Sequence, residues 1–285
     1  MKEADPVFSI GSTPQLSLRV SVANLVKVTF IHPEDQQKKL VLERTGTVVA
    51  DHGSYIVRVI SKPFGGGVRI LNPERLRTEV GDFNFDSLRT REEDDFRIFI
   101  YPKHWDRLKQ FCWVHLIAQG EILESSPRRE LVEEFHDALN YELFEDQYHL
   151  EWSKLVVEAK PARTGSPRSM GSLTSRIYSV HEMQILDPQL IMDLMENSLN
   201  KSNQELRKEA EEDYLGGGKG RANAVSVLDY AQFINAYKNL SETDQGEPAH
   251  LFGHDFDGNT LAILNEVESK KYSQLSCDDI DHAWN

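Results

Sequence analysis

Apolar side chains fall on every second position near the start of this chain. Leu16, Leu18, Val20 and Val22 alternate with polar or small residues, and Val26, Val28 and Phe30 repeat the pattern. A period of two suits a strand with one buried face, not a helix. Residues 40–42, 47–49, 55–60 and 96–101 read as further strands, with Asp51-His52-Gly53 as turn chemistry. Further along the period changes. Leu131, Phe135, Ala138 and Leu139 recur at helical spacing, as do Leu190, Ile191, Leu194 and Met195 behind an Asp187-Pro188 cap. Residues 155–157 and 176–180 read as strands between these helices. Interleaved strands and helices predict an α/β fold.

Charge limits the partners. The chain has 285 residues and a formal net charge of −14, from 32 Lys+Arg against 46 Asp+Glu. Such a surface repels a phosphate backbone, which argues against non-specific nucleic-acid binding. Cys112 and Cys277 have no paired spacing, so neither a disulfide framework nor a cysteine zinc site is expected. The first ten residues lack a signal-peptide core, and the longest apolar run, 111–118, is too short to span a bilayer. The expectation is a cytoplasmic protein without membrane contact.

The stretch that bears on chemistry is Glu121, seven residues, then Arg129-Glu130-Leu131-Val132-Glu133-Glu134. On a helix, positions i, i+3 and i+4 stack on one face, so Glu130, Glu133 and Glu134 lie together. Like charges there repel by roughly 0.2–0.5 kcal/mol per pair. A hard divalent cation such as Mg²⁺ or Mn²⁺ reverses that sign, because it prefers oxygen ligands. Leu131 and Phe135 point to a different side and would seat the helix on a sheet.

This stretch, residues 113–137, resembles the box of the Nudix hydrolase superfamily, G-x5-E-x7-R-E-U-x-E-E-x-G-U, where U is aliphatic. Every charged position of that pattern matches. The glycine positions do not: the first is His115 and the second His136, while the last aliphatic position is Asp137. Bulky residues at 113–115 resist a tight turn. Pro127 implies a helix that starts about a turn late, and His136 lets it run on.

The resemblance implies a Nudix-like α/β/α sandwich with a mixed sheet over 40–197. An N-terminal β-rich extension, 1–39, would precede it and a C-terminal helical region, 198–285, would follow. It also implies hydrolysis of a nucleoside diphosphate linked to another group, with Mg²⁺ or Mn²⁺ as cofactor. Carried over by position, Glu133 and Glu134 would be the main metal ligands. Glu130 would be a further ligand or would help activate water. Glu121 would support the cluster from the loop, and Arg129 would orient the glutamates. Glu151, Glu158 and Glu182 are candidates for an additional base or ligand. The lost glycines motivate the alternative, a catalytically impaired Nudix-like module that binds a nucleotide or a protein. A third reading uses an amphipathic helix over 225–240, with Val227, Leu228, Ala231, Ile234 and Tyr237, to assemble copies into a homo-oligomer.

Weaker signals have plainer readings. Gly65-Gly66-Gly67 suits a phosphate approach or, more simply, a flexible hairpin connection. Residues 255–259 with Glu266 imitate a calcium loop but place Thr260 where glycine is needed, so a polar turn suffices. His250 and His254 read as turn histidines. Gly216 to Arg221 lacks the order of a phosphate loop and reads as a hinge. Lys160, Arg163, Arg168 and Arg176 form a basic patch that would suit an anion or a solvated loop.

Overall fold

The computed structural model describes residues 18–51, 54–117, 121–158, 162–163, 172–198, 200–218, 220–229 and 272–274. The chain opens with strands β1 (Leu18–Ile31), β2 (Lys38–Asp51) and β3 (Ser54–Lys62). Helix α1 (Pro73–Val80), strand β4 (Phe83–Phe85), helix α2 (Leu88–Glu92), strand β5 (Arg97–Ile100) and helix α3 (Trp105–Ile117) follow. Then come α4 (Arg128–Leu139), β6 (Tyr148–Glu158), β7 (Ala162–Arg163), β8 (Leu173–Ile185), α5 (Pro188–Asn197) and α6 (Asn203–Leu215). Strands β9 (Arg221–Asp229) and β10 (Tyr272–Gln274) complete the described elements.

The fold is mixed α/β around one mixed sheet, with the main path β10-β6-β8-β1-β2-β3. Strands β1 and β8 run parallel. The other strand pairs are antiparallel. Strand β1, from before residue 40, sits in the middle of this sheet, and β9, from beyond residue 197, pairs with β2. Among the described residues no helix is long and apolar enough to cross a membrane.

The two alternating segments read in the first thirty residues merge into the single strand β1, in unbroken register with β8 from Arg19 to Thr29. Its even-numbered side chains therefore share one face. Val20 and Val22 join a core cluster with Leu76 and Val80 of α1 and Leu108, Phe111 and Cys112 of α3. Val26, Val28 and Phe30 join a second cluster with Leu131 and Phe135 of α4 and Leu190 and Leu194 of α5. Asn24 lies between them on that face, buried, and its Nδ2 donates to the Glu124 carbonyl at 3.4 Å. The sheet face thus has a polar gap where the segment leading into α4 crosses it.

On β2 the alternation sorts side chains the same way. Val41 joins the second cluster, and Glu43 shares its parity. Gly46 has the opposite parity and meets α6: a Cβ there would lie 2.5 Å from the Leu206 carbonyl oxygen. Helix α6 docks only because position 46 has no side chain.

Two expectations are corrected. Residues 221–229 form a strand, not the start of an amphipathic helix over 225–240. Ala222, Ala224, Val225 and Ser226 are all buried, so both faces of the segment are covered. A short apolar run covered on both sides carries no period that separates strand from helix. The charge run 89–95, which as sequence reads as a solvated loop, is not one throughout. It forms α2 and ends at buried Asp95. The calcium-loop imitation, His250, His254, Lys160, Arg168 and residues 230–240 lie outside the described residues.

Candidate active site

Helix α4 begins directly after Pro127, which caps it with no side-chain hydrogen bond. It passes His136 and ends at Asn140, which adopts the left-handed conformation at φ 53° and donates its N–H to the His136 carbonyl at 2.7 Å. Asparagine tolerates that conformation better than most residues. Leu131 and Phe135 are fully buried, and the Phe135 ring lies 4.8 Å from that of Phe64. Burying two such side chains contributes roughly 1.5–3 kcal/mol each. This anchor fixes the rotation of the helix, and so where its carboxylates point.

Glu130 and Glu134 point at the Gly65-Gly66-Gly67 segment, which is not a flexible hairpin connection. It runs beside β1 in backbone hydrogen bonds: Asn24 N–H to the Gly66 carbonyl at 2.9 Å, Val26 N–H to Phe64 at 2.8 Å, and Val68 N–H to Val22 at 3.1 Å. Gly65 has φ 114°, a region that disfavours any side chain. A Cβ on Gly66 would lie 2.2 Å from Glu130 Oε2. Each glycine is needed for a different neighbour: a Cβ on Gly65 would meet the Asn24 carbonyl oxygen at 2.2 Å, one on Gly66 the Glu130 carboxylate, and one on Gly67 Asp95 Oδ1 at 2.7 Å.

Two cations of the chain divide the acidic side chains. Arg129 grips Glu124 through Nε at 3.0 Å and Nη2 at 2.9 Å. Its Nη1 reaches Glu130 at 2.7 Å and Glu133 at 3.4 Å, and its Nη2 donates to the Gly67 carbonyl at 3.3 Å. Lys62 Nζ lies 2.8 Å from Glu134 Oε1 and also contacts Glu43 Oε2. Glu134 Oε2 accepts the Gly65 N–H at 2.6 Å.

The residues carried over from the box pattern are thus partly assembled. Arg129, Glu130 and Glu134 lie against the glycine segment. Glu133 shares Arg129 but its side chain is 57 % exposed. Glu121 is exposed and makes no ion pair among the described residues; Glu124 supports the helix from the loop. His115, at the first glycine position, lies within α3 and faces Glu79 at 3.4 Å. Glu151 is exposed beside His149, and Glu182 pairs with Lys27 at 3.4 Å. The backbone of Glu158 ends β6. Sequence reasoning missed Glu43, Lys62, Glu124 and Asp95. The signal available for the first two was their place as neighbours on adjacent strands, where they are direct cross-strand partners.

Burial dominates the electrostatics. It raises the Glu130 carboxyl above its ordinary range, against the pull of Arg129. Burial also pushes Glu134 well up, opposed by Lys62 and aided by Glu43. Burial alone would lower Lys62, but Glu134 and Glu43 outweigh it and hold the ammonium charged. One ammonium cannot neutralise two buried carboxylates. Asp95, behind Gly67, is raised by burial to about 6, and its Oδ1 has no hydrogen-bond partner. Glu43, Glu124, Glu130, Glu133 and Glu134 are five carboxylates against two cations, Arg129 and Lys62.

Carboxylate oxygens are the donor type that a hard divalent cation takes. The oxygens are hard, the charge is in deficit, and Glu43 with Glu134 already converges on one positive charge, the Lys62 ammonium. Among the described residues no three His, Cys, Asp or Glu side chains are grouped so that they could hold a metal ion.

No protein-family model matches the chain, and no curated protein is significantly similar to it.

Proposed function

We propose that this chain is a divalent-metal-dependent hydrolase of the Nudix type, acting on a nucleoside diphosphate linked to another group. The observation that carries the reading is the contact between the glycine segment and α4: Gly65 donates to Glu134, Gly66 packs on Glu130, and Arg129 reaches the Gly67 carbonyl. A helix bearing the box carboxylates and a glycine turn pressed against it would form a rigid, oxygen-rich floor for a polyphosphate.

Glu133, Glu134 and Glu130 would hold Mg²⁺ or Mn²⁺. When bound, that ion would supply charge neutralisation and polarisation of the diphosphate. Glu134 is fixed by the Gly65 N–H at one oxygen, so its other oxygen has a set direction. Arg129 ties Glu124, Glu130 and Glu133 into one unit and keeps Glu130 beside the turn. Water adding to phosphorus must lose a proton as its oxygen bonds and the bridging P–O bond breaks. Where Glu130 activates water rather than serving as a further ligand, it would take that proton.

The test uses purified protein, Mg²⁺ or Mn²⁺, and nucleotide sugars, ADP-ribose, dinucleoside polyphosphates, nicotinamide dinucleotides and capped RNA. Hydrolysis unchanged in a Glu133→Gln, Glu134→Gln double variant would sink the assignment.

One observation favours the second reading, a nucleotide-binding module without turnover: Lys62 already satisfies Glu134. A thermal-shift screen separates the two. A pure binding module is stabilised by a nucleotide and forms no product.

A further inference from the structure

Helices α1 and α3 pack together and leave a cavity of about 110 Å³ between them, open to solvent on one side. Neither helix carries a box glutamate. On α3 the lining positions 107, 110, 111, 114 and 115 recur at helical spacing and form one stripe. Leu108, Cys112 and Leu116 take the neighbouring stripe into the core. Phe111 is 4 % exposed, and with Val114 it gives the cavity an apolar wall. Helix α1 contributes Glu79, whose two oxygens are both taken: Oε1 by Arg75 at 2.5 Å and Oε2 by His115 at 3.4 Å. The Arg75 guanidinium, and His115 to a lesser degree, hold the Glu79 carboxyl below its ordinary range. The side chains of Arg107 and Gln110 have no ion pair or hydrogen bond among the described residues. The cavity thus has two unclaimed donor groups beside an apolar wall.

We propose that this cavity binds a short aliphatic carboxylate: Arg107 and Gln110 donate to its carboxylate oxygens, and its alkyl chain lies on Phe111 and Val114. Charge supports an anion. Arg75 and Arg107 face one carboxylate, Glu79, so the cavity is locally positive in a chain of net charge −14. Chemistry supports a carboxylate. A guanidinium fork matches its two oxygens, and an amide N–H adds a third donor. The wall supports an alkyl chain, because an inorganic anion would leave Phe111 and Val114 without an apolar partner. Size limits the ligand. A water takes about 30 Å³ of liquid, so the enclosed part holds roughly four small groups. That is too little for a nucleotide, and the site is separate from the one proposed on α4.

The test is butyrate binding to the full chain, read by saturation-transfer NMR of the ligand and by the shift in melting temperature at fixed ionic strength. Wild type is expected to bind butyrate saturably with Kd on the order of 1 mM, as suits a ligand of this size. Arg107→Gln is expected to weaken binding roughly tenfold or more. Val114→Glu, which sets a like charge beside the bound anion, is expected to do the same. Both positions are exposed, so both variants should fold. Lys109→Gln removes a cation from the same helix outside the cavity lining. It is the control for net charge and is expected to change affinity by less than about twofold. Butyramide, which lacks the charge, and phosphate, which lacks the alkyl chain, are each expected to bind roughly tenfold more weakly than butyrate or worse. Absence of saturable butyrate binding below about 50 mM would overturn the proposal. So would equal affinity in Arg107→Gln, an equal loss in Lys109→Gln, or phosphate binding as tightly as butyrate. The measurement uses neither metal nor nucleotide, so its outcome leaves the hydrolase reading untouched.

Discussion

Glu134 accepts a hydrogen bond from the backbone N–H of Gly65 at 2.6 Å, across 69 residues of sequence. That bond joins the acidic helix to the sheet through a turn only glycine can make. Replacing Gly65 by alanine meets two obstacles, the positive φ and a Cβ 2.2 Å from the Asn24 carbonyl oxygen. Gly65→Ala is expected to lose about 2 kcal/mol of stability or more, measured by urea unfolding. Gly66→Ala has an ordinary φ and collides only with the Glu130 carboxylate. It should keep most of its stability while turnover falls, because Glu130 must move.

Glu124 and Glu121 should separate cleanly. Glu124 makes a two-point contact with the Arg129 guanidinium, whereas Glu121 is exposed. Glu124→Gln is expected to lower kcat/KM by roughly 10–100-fold, the usual cost of losing a group that orients ligands. Glu121→Gln is expected to stay within about twofold of wild type, as surface changes usually do. Steady-state kinetics on any hydrolysed substrate checks both.

These two glutamates show how far the sequence could be read. The stripe of Leu131 and Phe135 is legible because a helix repeats its face every 3.6 residues, and the structure buries both. The spacing of Glu121 to Arg129 is legible as a pattern, but a loop carries no period, so spacing alone cannot say which glutamate turns inward. Glu43 and Lys62 become partners only through the register of β2 with β3, and they meet Glu134 only through tertiary packing. The same limit hid the strand β9, whose two covered faces erase the alternation that marks β1.

Acid should destabilise the protein through His181. This ring is buried, lies 3.2 Å from Ser179 Oγ, and is lowered by burial from 6.5 to about 4. The folded state therefore favours the neutral ring. Stability from this group is fully present above about pH 6.5 and is lost as pH falls toward 4. Between pH 7 and pH 4 the advantage of wild type over His181→Gln in unfolding free energy should shrink by up to about 3 kcal/mol. A constant difference across that range would contradict the burial assigned to His181.

Cys112 should be silent in the native state. It is fully buried in the cluster under α3, and burial pushes its thiol far above the ordinary range. In a Cys277→Ser background, a thiol reagent at pH 8 should label native protein at the rate of unfolding and label denatured protein at once.

The central claim is that the α4 carboxylates and the glycine turn beneath them hold a divalent cation that the chain uses to cleave a diphosphate. The most direct measurement is product release from the substrate panel after chelation and after Mn²⁺ is added back, in wild type and in Glu134→Gln. The account predicts hydrolysis of at least one substrate by wild type, lost on chelation, restored by Mn²⁺, and reduced by roughly 100-fold or more in Glu134→Gln. Hydrolysis that persists after chelation, or that is equal in Glu134→Gln, would contradict it.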